Sequence, residues 1–170
     1  EVIPYDTNNQ MQYRRILEIK NNCWKNALTD WVLVCDLDEL LDINTAQLKM
    51  EEDADVSIIR TEGYNMVNLE DNFDIAGMKY GARESGFDKS CLFNKKHISE
   101  INYDIGCHKC NPVGTIQYSK NKYRLYHYIF INENFTIEKY KINAARLSQE
   151  NLKHHWSRHY LYTPEQIHDK

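Results

Sequence analysis

Trp31-Val-Leu-Val-Cys-Asp-Leu-Asp-Glu-Leu-Leu41 is the stretch from which the fold is read. Trp31 to Cys35 is an unbroken apolar run, the pattern of a strand buried on both faces, as in a parallel sheet covered by helices. Asp36 and Asp38 follow at its carboxyl end, and on an extended backbone residues two apart leave the same face. Two carboxylates held together raise each other's pKa and oppose folding. A hard divalent cation with oxygen ligands turns that repulsion into a binding site. The run therefore predicts a metal site at a strand end, with Glu39 on the opposite face orienting the backbone or the ligands.

Upstream, Val2-Ile-Pro-Tyr5 reads as a short strand. After the polar turn Asp6-Thr-Asn-Asn9, apolar residues at Tyr13, Ile16, Leu17, Trp24, Ala27 and Leu28 recur at helical spacing up to Thr29-Asp30. Strand, crossover helix and strand make a parallel unit, and ligands of open α/β sheets bind beyond the carboxyl ends of the strands, where Asp36 and Asp38 fall. Downstream, Asn44 to Lys49 predicts a short helix and Val56-Ser-Ile-Ile-Arg60 a strand. Gly63 to Gly86, with recurrent glycines, predicts a long irregular segment of the kind that carries function. Strands are expected at Ser90–Phe93, Ile98–Tyr103, Thr115–Tyr118 and Tyr123–Ile129. A last helix is expected from Glu133 to about Leu152, with Asn132 as its N-cap. The polar cluster His154-His-Trp-Ser-Arg-His159 reads as a solvated helix end.

With 170 residues, 42% of them hydrophobic, the chain can bury one domain's core, and no linker or repeat divides residues 1–170. A net charge of −4 with mixed signs offers no basic face for nucleic acid. No apolar run approaches the length of a membrane span and the amino terminus lacks the features of a signal peptide, so the expectation is a cytoplasmic protein. Five cysteines, an odd number, do not form a secreted disulfide framework. Cys107-His-Lys-Cys110 lacks the second Cys/His pair that a structural zinc requires.

Three settings place carboxylates on such a strand. An EF-hand loop is excluded because Leu40 and Leu41 occupy positions that need a ligand and a glycine. A haloacid-dehalogenase-type phosphatase uses the first carboxylate of a strand-end D-x-D as nucleophile, but that family continues with a small residue and threonine where this chain has Glu39-Leu40. The third setting carries a resemblance. Asn21-Asn-Cys-Trp-Lys-Asn26 followed by Asp30-Trp-Val-Leu-Val-Cys-Asp-Leu-Asp-Glu-Leu-Leu41 resembles the family-2-like glycosyltransferases, in which an Asn-x-x-Trp-Lys helix precedes a D-x-D-E strand end. Lys89-Ser-Cys-Leu-Phe93, Gly106-Cys-His108 and Leu125-Tyr-His-Tyr128 resemble the downstream pattern of the same group.

The resemblance implies a GT-A-like α/β fold, a sandwich of helices around a mainly parallel sheet, with a nucleotide-sugar donor, a carbohydrate or other hydroxyl acceptor, and Mn2+ or Mg2+. Such enzymes usually place two βα units of about 30 residues each before the D-x-D strand, so the chain resembles a partial domain whose own activity is uncertain. Asp36 and Asp38 are expected to bridge the metal to the donor diphosphate, with a histidine completing the set. His127, just before the last helix, is the first choice and His108 the other, and imidazole would favour manganese. Asp88, Glu100 and Asp104 lie where the family places the base that takes the acceptor proton, and Lys89 beside Asp88 is a candidate to meet the diphosphate. Tyr64, Tyr80 and Phe87 are candidates for stacking on an acceptor sugar. The alternative is a non-catalytic remnant of the fold that binds carbohydrate or a partner, with self-association through an exposed sheet edge.

Overall fold

The computed structural model describes residues 4–68 and 75–168. The first helix, α1 (Tyr13–Asn22), is followed by strands β1 (Trp31–Leu33) and β2 (Glu39–Asp42) and helix α2 (Thr45–Asp53). Strands β3 (Ile58–Val67), β4 (Tyr80–Arg83), β5 (Leu92–Asn94), β6 (Ile98–Glu100), β7 (Val113–Gly114) and β8 (Tyr118–Phe130) come next, and helices α3 (Glu133–Ala145), α4 (Gln149–Lys153) and α5 (Pro164–His168) end the chain. The protein is thus α/β, with a mixed sheet in the order β1-β5-β3-β8-β2 and β4 added to the far half of β3.

The expected parallel sheet is not what forms among the described residues. Only β3 and β8 run parallel, while β1–β5, β3–β5, β3–β4 and β2–β8 are antiparallel. The apolar run 31–35 is accordingly not a central strand. β1 pairs with β5 alone among the described strands, and Leu33 is 50% exposed while Val32 and Val34 are buried. Of the expected strand Val2–Tyr5, residues 2 and 3 lie outside the described residues, and Pro4 and Tyr5 belong to no strand.

Alternation along β3 supplies both faces of the sheet. Ile58 joins a core with Trp24, Val32, Phe93 and Ile98, whereas its neighbour Ile59 packs with Val56, Leu92 and Tyr123 on the other side. Trp24 meets Phe93 edge-to-face with ring centroids 5.0 Å apart. It reaches the core from beyond α1, which stops at Asn22, short of the expected end. Asn21 and Asn22 in its last turn are poor helix formers, and the Asn21 side chain accepts a hydrogen bond from the backbone N–H of Tyr103 at 2.8 Å. α2 begins where expected, with a capping box between Asn44 and Gln47.

Gly63 to Gly86 is more regular than its glycines suggest. β3 continues to Val67 and pairs with β4 from Tyr64↔Arg83 to Val67↔Tyr80. A Cβ on Gly63 would lie 2.6 Å from the Phe87 backbone, and one on Gly81 would lie 2.7 Å from Met66 Sδ. Gly81 therefore marks close approach within the β3–β4 pair, and Gly63 the close approach of β3 to the turn that carries Phe87. The expected strand Thr115–Tyr118 is replaced by β7 and the start of β8.

The predicted long last helix is broken between α3 and α4. Asn132 caps α3 as expected, accepting from the Phe135 N–H at 2.9 Å, and Ser148 caps α4. Within α4, Asn151, fully buried, ties that helix to the start of α1: its amide donates to Met11 O at 2.8 Å and its carbonyl accepts from Tyr13 N at 3.5 Å. Asn151→Ala leaves buried backbone groups unpaired, so a loss of about 1–3 kcal/mol is expected, read as a lower midpoint in urea unfolding.

Candidate functional site

A cleft of about 1530 Å3 opens where the β1–β2 turn, the 3-10 turn Ser85–Phe87, the loop before β7, the end of β8 and α3 meet. Asp36 to Glu39 forms a turn closed by the Glu39 N–H on Asp36 O at 3.1 Å. It throws Leu37 fully into solvent and leaves Asp36, Asp38 and Glu39 all lining the cleft. The acids are thus gathered by a turn and not by strand alternation, and Glu39 shares their side of the structure. Its carboxylate does what was expected of it: Oε2 accepts from the Asp36 backbone N–H at 3.1 Å.

Three lysines pair with the three acids. Lys20, from the last turn of α1, lies 2.6 Å from Asp36 Oδ1. Lys89 pairs with Glu39 and lies 3.3 Å from Asp36 Oδ2. Lys139, on α3, lies 2.8 Å from Asp38 Oδ2. Burial pushes the Asp36 carboxyl up, but Lys20 and Lys89 outweigh it and hold the group below its ordinary value. Asp38 is held well below the usual carboxylate range, first by His127, against burial, and then by Lys139. Burial pulls Lys89 down, and Glu39 and Asp36 together more than reverse that. Lys89, expected to face the donor, is instead committed to this network, its side chain only 3% exposed.

His127 meets the second aspartate through strand pairing. β2 and β8 run antiparallel with Glu39 opposite His127, and the Tyr128 N–H donates to Asp38 O at 2.8 Å. His127 Nε2 consequently lies 3.6 Å from Asp38 Oδ2, while Nδ1 is 3.2 Å from Asn65 Oδ1 on the neighbouring β3. Phe87 stands between the two candidate histidines, with ring centroids 4.4 Å from His127 and 5.1 Å from His108. Burial, reinforced by Lys89, pushes the His108 imidazole down to about 4, so its ring is neutral at neutral pH.

Among the described residues, no three His, Cys, Asp or Glu side chains stand together as a finished ligand set. Asp38 and His127 nonetheless offer an oxygen and a nitrogen a single ion could share, and the lysine ammoniums supply the acids' counter-charges.

The three acids expected as bases do not line the cleft. Asp88 is taken up by Arg83 at 2.7 Å and by the Gly63 N–H at 2.8 Å, fixing the turn that carries Phe87. Glu100 pairs with Lys25 at 2.7 Å on the outside of β6. Asp104 is an exposed turn residue whose backbone closes the loop leading to His108. Of the loop aromatics only Phe87 reaches the cleft; Tyr80 is 61% exposed, and Tyr64 packs beside Tyr126.

Several lining residues carry no mark in the sequence. Lys20 and Lys139 are two among 21 Lys and Arg residues, and only the packing of α1 and α3 against the turn singles them out. The 154–159 cluster, read as a solvated helix end, instead supplies Trp156, Ser157 and His159 to the cleft wall. Tyr13 hydrogen-bonds Ser157 and meets Trp156 edge-on at 6.4 Å. A tryptophan and a tyrosine within a polar segment were the available signal.

Among the described residues, no helix is long and apolar enough to cross a membrane. Comparison of the chain with protein-family models, with curated proteins and with solved structures gives no match to any of them.

Proposed function

We propose that the protein belongs to a GT-A-like, metal-dependent glycosyltransferase, moving a sugar from a nucleotide-sugar donor to a hydroxyl acceptor. The observation that carries this reading is the approach of His127 Nε2 to Asp38 Oδ2 at 3.6 Å across the β2–β8 pair. These are the second acid of the D-x-D and the late histidine that the sequence resemblance pairs as metal ligands, and they lie 89 positions apart in the chain.

Asp36, Asp38 and His127 are the residues that would hold Mn2+ or Mg2+. Such an ion supplies positive charge against the negative charge that grows on a departing diphosphate. Asn65 at His127 Nδ1 is the kind of outer partner that fixes an imidazole so that its other nitrogen faces a metal. Lys20 and Lys139, each partly open to the cleft, are the chain's own cations beside the diphosphate position. Glu39 and Lys89 hold the Asp36 backbone and carboxylate in place. Phe87 offers an apolar face between His108 and His127, and His108, neutral at neutral pH, lines the same space.

Calorimetry with manganese and a panel of nucleotide sugars tests the proposal. Nucleotide-sugar binding that requires the metal is expected. Absence of metal binding sinks it, and leaves the open edge of β1, with Leu33 exposed, as the surface to examine for partner binding.

A further inference from the structure

We infer that the cleft's second ligand is a hydroxylated ring compound bearing an anionic group, a carboxylate or a phosphate, seated by Arg146 beside Trp156. Four cationic side chains line the cleft among the described residues, against three carboxylates. Lys20, Lys89 and Lys139 are matched by Asp36, Glu39 and Asp38. Arg146 is left over: no side chain among the described residues pairs with it, and its Nε is buried without any acceptor. A buried N–H without a partner is costly, and a guanidinium's planar fork fits carboxylate or phosphate.

The surroundings of Arg146 are built, not incidental. Its backbone carbonyl accepts from Met11 N at 2.6 Å, which locks the end of α3 to the start of α1. Asn151 fastens the same junction through Met11 O. Tyr13 then bonds Ser157 and packs against Trp156, so Arg146, Tyr13, Trp156 and Ser157 line one wall of the cleft. The Trp156 ring carries His154 stacked at 4.7 Å and Arg14 at 5.6 Å, so its rim, the Tyr13 and Ser157 hydroxyls and the unmatched guanidinium are what meet the hydroxyls and the charge of an acidic or phosphorylated sugar. A donor diphosphate neutralised by a divalent cation would leave the charge of Arg146 unanswered, so the anion belongs to the other substrate.

This inference deepens the transfer reading by giving its acceptor a charge, yet its test needs neither metal nor donor. In EDTA, binding of methyl glucoside, methyl glucuronide, glucose 6-phosphate and inorganic phosphate is measured by ligand-observed NMR. At least one charged sugar is expected to bind about ten-fold more tightly than methyl glucoside, and Arg146→Gln is expected to remove that advantage. The arm that responds, glucuronide or phosphate ester, identifies the anion. Trp156→Leu should weaken the sugars together and keep their ratio. The unmutated protein provides a further measure, since the charged sugar's advantage should shrink between 50 mM and 500 mM salt.

Equal binding of neutral and charged sugars, or an unchanged ratio in Arg146→Gln, overturns the inference. So does inorganic phosphate binding as tightly as glucose 6-phosphate, which would mark an adventitious ion only. Failure here with intact manganese-dependent nucleotide binding leaves the transfer reading standing, and the reverse pattern leaves the anion site standing.

Discussion

Lys89→Met should destabilise the protein by about 3–5 kcal/mol, a large part of an ordinary domain's stability, measured as a fall in the urea midpoint. The side chains of Lys89 and Glu39 are 3% and 1% exposed, so removing the ammonium leaves a carboxylate buried without its counter-charge. Glu39→Gln in the same background should recover most of the loss, because an amide in that position no longer carries a charge out of water. The loss should also depend on pH. Burial without a counter-charge disfavours an ionised carboxyl, so the penalty in Lys89→Met should shrink as pH falls and that charge is removed. Equal stability of the variant and the parent at pH 7 would mean that the pair does not hold the turn.

The unmutated protein is expected to behave the opposite way in acid. Asp36 and Asp38 have folded pKa values below their unfolded ones, so their contribution is complete above about pH 4 and is lost as pH falls through the depressed values. Lys89 has a raised pKa, so its contribution is complete below about pH 10 and is lost as pH rises through the folded value. Stability is therefore held flat by these groups between the two limits.

Local chemistry was readable from the chain where it is decided by neighbours in sequence. The helix beginning at Asn44 and the Asn132 cap were expected, and each forms because a short polar side chain accepts from an N–H three residues on, an interaction contained within four residues. The pairing of strands was not readable, because an apolar run such as Trp31–Cys35 fits a buried parallel strand and an edge strand with one covered face equally well. Glycine misled in the other direction. Gly63 and Gly81 look like loop punctuation, and their cause, the closeness of Phe87 and Met66, lies in residues 24 and 15 positions away.

At the site, Asp36 and Asp38 stood out by their spacing and His127 and His108 by the resemblance, and all four line the cleft. Lys20, Lys139, Arg146 and Trp156 did not stand out, since each is an ordinary member of an amphipathic or polar stretch until the helices pack. Asp88 shows why acids in turns are poor guides: its carboxylate is consumed by Arg83 and the Gly63 N–H in holding the loop that carries Phe87.

Asp38→Asn separates the site's chemistry from its stability. The carboxylate is about one-third exposed and its lysine partner one-quarter exposed, so the ion pair itself is worth about 0–1 kcal/mol and the variant should unfold close to the parent. Metal affinity should respond on another scale. Loss of an outer partner of a metal ligand commonly costs 10–100-fold, and under the proposed reading loss of Asp38's own charge should exceed that, so manganese binding should fall by more than about 100-fold. Nucleotide-sugar binding in the presence of manganese should fall with it. His127→Gln should weaken manganese more than magnesium, because the imidazole nitrogen is the softer donor of the set. Asn65→Ala, which removes the partner of His127 Nδ1 without touching either ligand, should give the same preference in milder form. If Asp38→Asn binds manganese as the parent does, the paired acid and histidine are a structural ion pair across β2 and β8, and the cleft's anion-seating wall would be its remaining chemical function.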